Sequence, residues 1–141
     1  MAASSHAQHY LREAVLTATQ EQLQLMLYDG AIRFTLQGRD ALTKKDYERV
    51  FNCLSRAQNI VMEMYNGLNH KVNPELCERV GALYMFIYNK LVDGSARHDV
   101  QALDDALKIL RMERETWQIL VNKVASERGE ASTALGSATH E

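Results

Sequence analysis

The chain has 141 residues, enough for one domain with a sizeable core and too few for two. With 46% hydrophobic and 24% charged residues and a net charge of -2, it carries no electrostatic case for nucleic acid or an anionic membrane as partner. The opening MAASSHAQHY lacks the basic start and apolar core of a secretion signal, and no apolar run approaches the roughly 18 residues of a membrane span. A cytoplasmic protein without direct membrane insertion is expected, and Cys53 and Cys77, lacking CxxC spacing, read as reduced thiols.

The pattern in chain order is helical. Residues 1–18 form a flexible N-terminal segment, in which YLREAV from Tyr10 through Leu11 to Val15 reads as a small amphipathic or hook-like element. Thr19 and Gln22 have capping-box spacing, which starts a first helix over about 20–43. A second spans about 46–68, with Tyr47, Val50, Leu54, Ala57, Val61, Met64 and Leu68 as a heptad seam and Asn52, Asn59 and Asn66 opposite. Asn73 and Pro74 open a third over 74–94, ending at Gly94. The fourth covers 99–126, with Val100, Leu103, Leu107, Leu110, Trp117, Val121 and Val124 on one stripe and Arg114 as a polar intruder. Short connections make neighbours antiparallel, so 19–126 reads as an all-α, up-down-up-down four-helix bundle. The remainder, 127–141, has no apolar period and is expected to be disordered.

Two stretches carry more apolar surface than a bundle helix needs. LQLMLYDGAIRF, Leu23 to Phe34, places Leu25, Met26, Ile32 and Leu36 off a seam assigned to Leu27, Ala31, Phe34, Gly38 and Ala41. VGALYMFIY, Val80 to Tyr88, contains no charge. A packed N-terminal segment, a homodimer face, a strand misread as helix, or a groove for a partner chain would each account for this. Burial of one Leu or Ile contributes roughly 1.5 to 3 kcal/mol, so a few such residues support a micromolar-class contact with a flexible partner. Gly30 and Gly81 fit either close approach of a partner backbone or helix packing inside the bundle.

Catalytic patterns are missing. No histidine has Glu three residues before it, which excludes the Glu-x-x-His pairs of a di-iron bundle. His6 and His9 on a loose terminus make a poor metal site, and Asp99 beside Arg97 and His98 is sufficiently explained as a helix N-cap. Neither a phosphate loop nor a nucleophile elbow is present. No enzymatic activity, cofactor or metal is expected.

The segments TATQEQLQLMLYDGAIRF (17–34), RAQNIVMEMYNGLN (56–69) and LYMFIYNKL (83–91), with Asp99, Leu103, Arg114 and Trp117, resemble the FliS family of flagellar secretion chaperones over residues 10–125. The resemblance implies a cytoplasmic export chaperone that binds the C-terminal segment of flagellin, prevents its premature polymerisation and assists delivery to the membrane protein of the flagellar type III export gate. It implies an antiparallel four-helix bundle around which the client wraps. Candidate client-binding residues are Leu25, Met26, Ile32 and Leu36 on the first helix, Met62 and Tyr65 on the second, and Tyr84, Met85 and Tyr88 on the third. Tyr10, Leu11 and Val15 are candidates for a cap over the empty groove and for contact with the export gate. Met85 departs from an acidic position in an LYDYM-like stretch of relatives, and Glu113 from an apolar one. The alternative is a homodimeric helical adaptor that no longer handles flagellin, its apolar faces paired when free of client.

Overall fold

The structure is a computed structural model that describes the backbone of residues 5–10, 12 and 19–138, with side chains as far as Gly129. Residues 5–10 are helical, and four long helices follow: α1 Gln20–Thr43, α2 Tyr47–Asn66, α3 Pro74–Arg97 and α4 Val100–Ala138. Among the described residues there is no strand. The chain divides into two compact units, Met26–Glu115 and Met1–Leu25 with Thr116–Glu141.

Each helix starts where a side chain can satisfy its free amides. Thr19 and Gln22 form the capping box in both directions, at 3.2 Å to the Gln22 amide and 3.0 Å to the Thr19 amide. Asp46 accepts from the Arg49 amide at 3.3 Å, Asn73 from Leu76 at 3.2 Å with Pro74 in the first turn, and Asp99 from Ala102 at 3.1 Å. Two C-termini differ from expectation. α3 continues past Gly94 to Arg97 and stops at His98, which takes a left-handed backbone at φ 53°. Gly94 serves helix packing instead of termination: a Cβ there would lie 2.7 Å from Leu103 Cγ. α4 passes the expected end at 126: once the helix is nucleated, each further residue gains one backbone hydrogen bond for one residue fixed. Glu127, Arg128 and Gly129 are exposed and add no core.

Within Met26–Glu115 the contacts define an antiparallel up-down-up-down four-helix bundle. Gly30 faces Ile60 and Gly38 faces Leu54, which runs α2 against α1. Tyr65 packs at Gly81, and at the other end Tyr47 stacks on His98 with centroids 4.2 Å apart, so α3 runs against α2. Lys90 pairs with Asp105 at 3.4 Å between α3 and α4, and Arg39 with Asp104 at 2.7 Å between α1 and α4. The Arg114 of the sequence pattern pairs with Asp29 of α1, which accounts for a cation on an apolar stripe.

The α1 register corrects the expected one. Ala31, Gly38 and Ala41 of the expected seam are buried, but Tyr28, Thr35 and Leu42 complete the a/d heptad run, with Gly30 buried beside it, whereas Leu27 and Phe34 are only half-buried. Hydroxyl-bearing residues occupy the core because their polar atoms find partners there: Tyr28 and Tyr84 share a hydroxyl–hydroxyl hydrogen bond at 2.7 Å, and Thr35 donates to the Ala31 carbonyl at 2.7 Å. α2 buries Val50, Leu54, Ala57, Val61 and Met64 as expected, but Tyr47 is 47% exposed at its start. α3 buries Cys77, Gly81, Tyr84, Ile87, Leu91 and Gly94, and α4 buries Leu103, Leu107 and Leu110 with Ala102 and Ala106.

In the smaller unit, Trp117 Nε1 donates to the Glu21 carbonyl at 2.6 Å and Arg128 pairs with the Glu21 carboxylate at 3.4 Å. Val121 and Val124 flank a cavity of about 120 Å³ beside them.

Gly94→Ala tests the close approach of α3 and α4. The Leu103 side chain must move, and overpacking of this kind costs roughly 1 to 3 kcal/mol, read as a lowered melting temperature in circular dichroism. An unchanged melting temperature would contradict the packing described.

Candidate functional site

α2 and α3 meet along a seam whose central stretch carries no charge, with Glu48 at one end and Glu78 at the other. From Val50, Leu54, Ala57 and Val61 in the core, helical phase places Phe51, Ser55, Gln58, Met62 and Tyr65 on the flank of α2 toward α3. From Tyr84, Ile87 and Leu91 it places Gly81, Met85, Tyr88, Val92 and Ser95 on the facing flank of α3. The Tyr65–Gly81 and Tyr47–His98 contacts fix the two flanks in register from end to end. Phe51 is 64% exposed and Val92 37%, while Met62, Tyr65, Met85 and Tyr88 are half-buried. Long apolar side chains with one side packed and the other wet are suited to covering by a partner chain.

The seam deepens near the α2–α3 loop into an open groove of about 440 Å³, lined by Tyr65, His70, Pro74, Cys77, Gly81 and Met85 among others. Gly81 forms part of its floor, and a Cβ there would meet Tyr65 and Leu68 only at ordinary contact distance, 3.4 Å. Val72 and Leu76, 79% and 52% exposed, extend the apolar surface along the loop and the first turn of α3. Gly30, by contrast, is explained within the bundle, since its Cβ would come within 3.1 Å of Ile60. Cys53 and Cys77 are free thiols, buried in the bundle.

The structure thus brings together Met62, Tyr65, Met85 and Tyr88. Ile32 and Leu36 lie elsewhere, on the α1 flank that carries Asp29 and Arg39 toward α4. Leu25 is half-buried in the smaller unit and Met26 half-buried at the start of the larger. Tyr84 is corrected to a core residue: it is 2% exposed, hydrogen-bonded to Tyr28, with the two rings 6.3 Å apart. Tyr10 lies on the helical stretch 5–10 and is 76% exposed, so its ring fills no groove; Leu11 and Val15 lie outside the described residues. Phe51 and Val92 were missed, although Phe51 shares the helical phase of Met62 and Tyr65. Ser55 and Gln58 between them hide the stripe from a search for apolar residues alone.

Among the described residues Glu113 on α4 is a carboxyl pushed upward, by burial, above the ordinary glutamate value of 4.5. Asp40 is held down by hydrogen bonds from Lys44 and Arg49, and Asp105 by Gln101 and then Lys90.

A largely apolar seam on a helical bundle suits a binding scaffold. Residues 2–124 match the family described as flagellar protein FliS. The flagellar secretion chaperone FliS of Bacillus subtilis (strain 168) is 31% identical over 119 residues, covering 84% of this chain and 88% of the relative. The Salmonella typhimurium chaperone of the same name is 28% identical over 122 residues, covering 86% and 90%. A crystal structure of a flagellar chaperone from bacteria shares the fold at a TM-score of 0.70 and 15% identity, covering 85% of this chain and 98% of that one. The chain belongs to the FliS family.

Burial of Glu113 predicts a pH-dependent penalty. Its folded pKa exceeds its unfolded one, so the folded state holds the proton more tightly; the penalty is absent below about 4.5 and sets in as pH rises through the folded value. Glu113→Gln is expected to raise the melting temperature at neutral pH and to leave it unchanged at pH 3. An equal gain at both pH values would contradict the assignment.

Proposed function

We propose that this protein is a cytoplasmic flagellar secretion chaperone that binds the C-terminal segment of flagellin, keeps it from polymerising early and assists its delivery to the type III export gate. The observation that carries this reading is the largely apolar α2–α3 seam, with Met62, Tyr65, Met85 and Tyr88 half-covered along it, in a chain of the FliS family. The relatives are named flagellar secretion chaperones, which supports a secretion role, and flagellin as the client is what the family resemblance implies. A disordered client segment gains order on a preformed apolar track, so binding and folding of the client are coupled. No helix among the described residues is long and apolar enough to cross a membrane, which suits a chaperone that meets the membrane gate through its soluble domain. Tyr10, exposed on the N-terminal helical stretch, is available for the gate contact.

Binding is the role assigned to the bundle, with no reaction attached to it. The seam offers apolar contact area, and the buried hydroxyls of Tyr28, Thr35 and Tyr84 are engaged within the core. Leu36 at 40% exposure and half-buried Ile32 provide a second, smaller apolar patch for a wrapping client.

Isothermal titration against a C-terminal flagellin fragment, with an N-terminal fragment as control, is expected to show selective one-to-one binding with a negative heat-capacity change. Met85→Asp places a charge on the seam and is expected to weaken that binding roughly ten-fold or more, given about 1.5 to 3 kcal/mol for burial of such a side chain. Light scattering that finds only dimer, with no binding of either fragment, would contradict the chaperone reading in favour of a self-paired adaptor.

A further inference from the structure

We infer that Arg33 of α1 and Arg56 of α2 together clamp a carboxylate side chain of the segment this bundle binds, an inference that rests on the client reading above. The two guanidiniums lie over the same ring: Arg33 Cζ is 5.1 Å and Arg56 Cζ 5.5 Å from the centroid of Phe34. Both residues are exposed, and neither has a carboxylate partner among the described residues. Four other bundle arginines are paired, Arg39 with Asp104 at 2.7 Å, Arg49 with Asp40 at 3.2 Å, Arg79 with Glu75 at 3.9 Å, and Arg114 with Asp29, whereas Arg97 and Arg111 share the lack of an ion pair among the described residues but not the contact with Phe34.

Cation–π contact with Phe34 holds each guanidinium in place and leaves N–H donors available to a planar acid. The two cations share one ring and so lie within about one Debye length, roughly 10 Å at 0.1 M salt, where their repulsion is incompletely screened. An anion between them relieves that repulsion and gains charge-assisted hydrogen bonds. The nearby acids do not fill this role. Asp40 is occupied by Lys44 at 3.0 Å and by Arg49, while Glu63, two turns along α2 from Arg56, forms no ion pair among the described residues. Gln37, Asn52 and Asn59 are the neutral polar residues of the same outer surface. A net charge of -2 disfavours an extended polyanion, which leaves an isolated acidic side chain on a peptide as the fitting ligand.

This places the clamp on the α1–α2 side of the bundle, whereas the apolar seam lies between α2 and α3. A segment that crosses α2 would meet apolar contacts on one side of it and a charge lock on the other.

The direct test is an NMR titration of the full chain with acetyl-Glu-Glu-amide, reading the arginine Nε–Hε resonances, with acetyl-Gln-Gln-amide and inorganic phosphate as separate arms. Saturating shifts at Arg33 and Arg56, absent at exposed Arg97 and lost at Arg33 in Arg56→Gln, are expected. Shifts no larger than those of Arg97, or equal shifts with phosphate, would overturn the clamp. In titrations with the flagellin fragment, Arg33→Gln with Arg56→Gln should weaken binding about ten-fold at low salt and flatten its salt dependence. Lysine at both positions should restore the salt dependence but only part of the affinity. Unchanged melting temperatures keep these losses separate from misfolding. If the wild type ignores the flagellin fragment while the dipeptide saturates both arginines, the flagellin reading falls and the acid clamp stands.

Discussion

The hydrogen bond between the hydroxyls of Tyr28 and Tyr84 is the contact on which the arrangement of faces depends. It joins α1 to α3 through the middle of the bundle, both tyrosines being 2% exposed, and so sets the rotation of each helix about its axis. With Tyr28 inward, Thr35 and Leu42 follow at heptad spacing, and Leu27 and Phe34 turn toward the flank. With Tyr84 inward, Met85 and Tyr88 fall on the α2 side, where they line the seam. A buried hydroxyl is costly when unpaired and inexpensive when paired, so the two polar groups specify a register that apolar packing alone would leave degenerate.

Small residues complete the constraint. Gly38 admits Leu54, and Gly94 admits Leu103, so the helices approach closely in the half of the bundle near the α1–α2 and α3–α4 connections. Ion pairs between neighbouring helices, Arg39 with Asp104 and Lys90 with Asp105, are partly exposed and add orientation more than stability. The outcome is a support with polar fastening on the α4 side and a largely apolar seam between α2 and α3. That asymmetry suits a binding role, because a partner is drawn to the face where little of the protein's own charge must be desolvated.

Much of the fold was legible because its signals are local. The Thr19–Gln22 box, Asp46, Asn73–Pro74 and Asp99 mark helix starts through hydrogen bonds that span only a few residues. The heptad of α2 was readable since its core positions are all apolar. α1 was misread by one position at Leu27 and Phe34 because its core uses Tyr28 and Thr35, and their suitability depends on partners that helical periodicity cannot display. Gly94 looked like a stop signal for the same reason: its purpose is a contact with Leu103 on another helix. Of the candidate site, Met62, Tyr65, Met85 and Tyr88 converge while Tyr84 turns inward. Adjacent residues of one apolar run cannot be sorted into groove and core before the helix's rotation is known. Phe51 and Phe34 gained their meaning only from the facing helix.

The central claim, that the α2–α3 seam is the client track, is tested most directly by methyl NMR of the methionines in the complex with a C-terminal flagellin fragment. The account predicts large shifts for Met62 and Met85, which flank the seam, and little change for Met64, 2% exposed in the core, or for Met112 on α4. Binding that moves Met112 while leaving Met62 and Met85 unperturbed would contradict it.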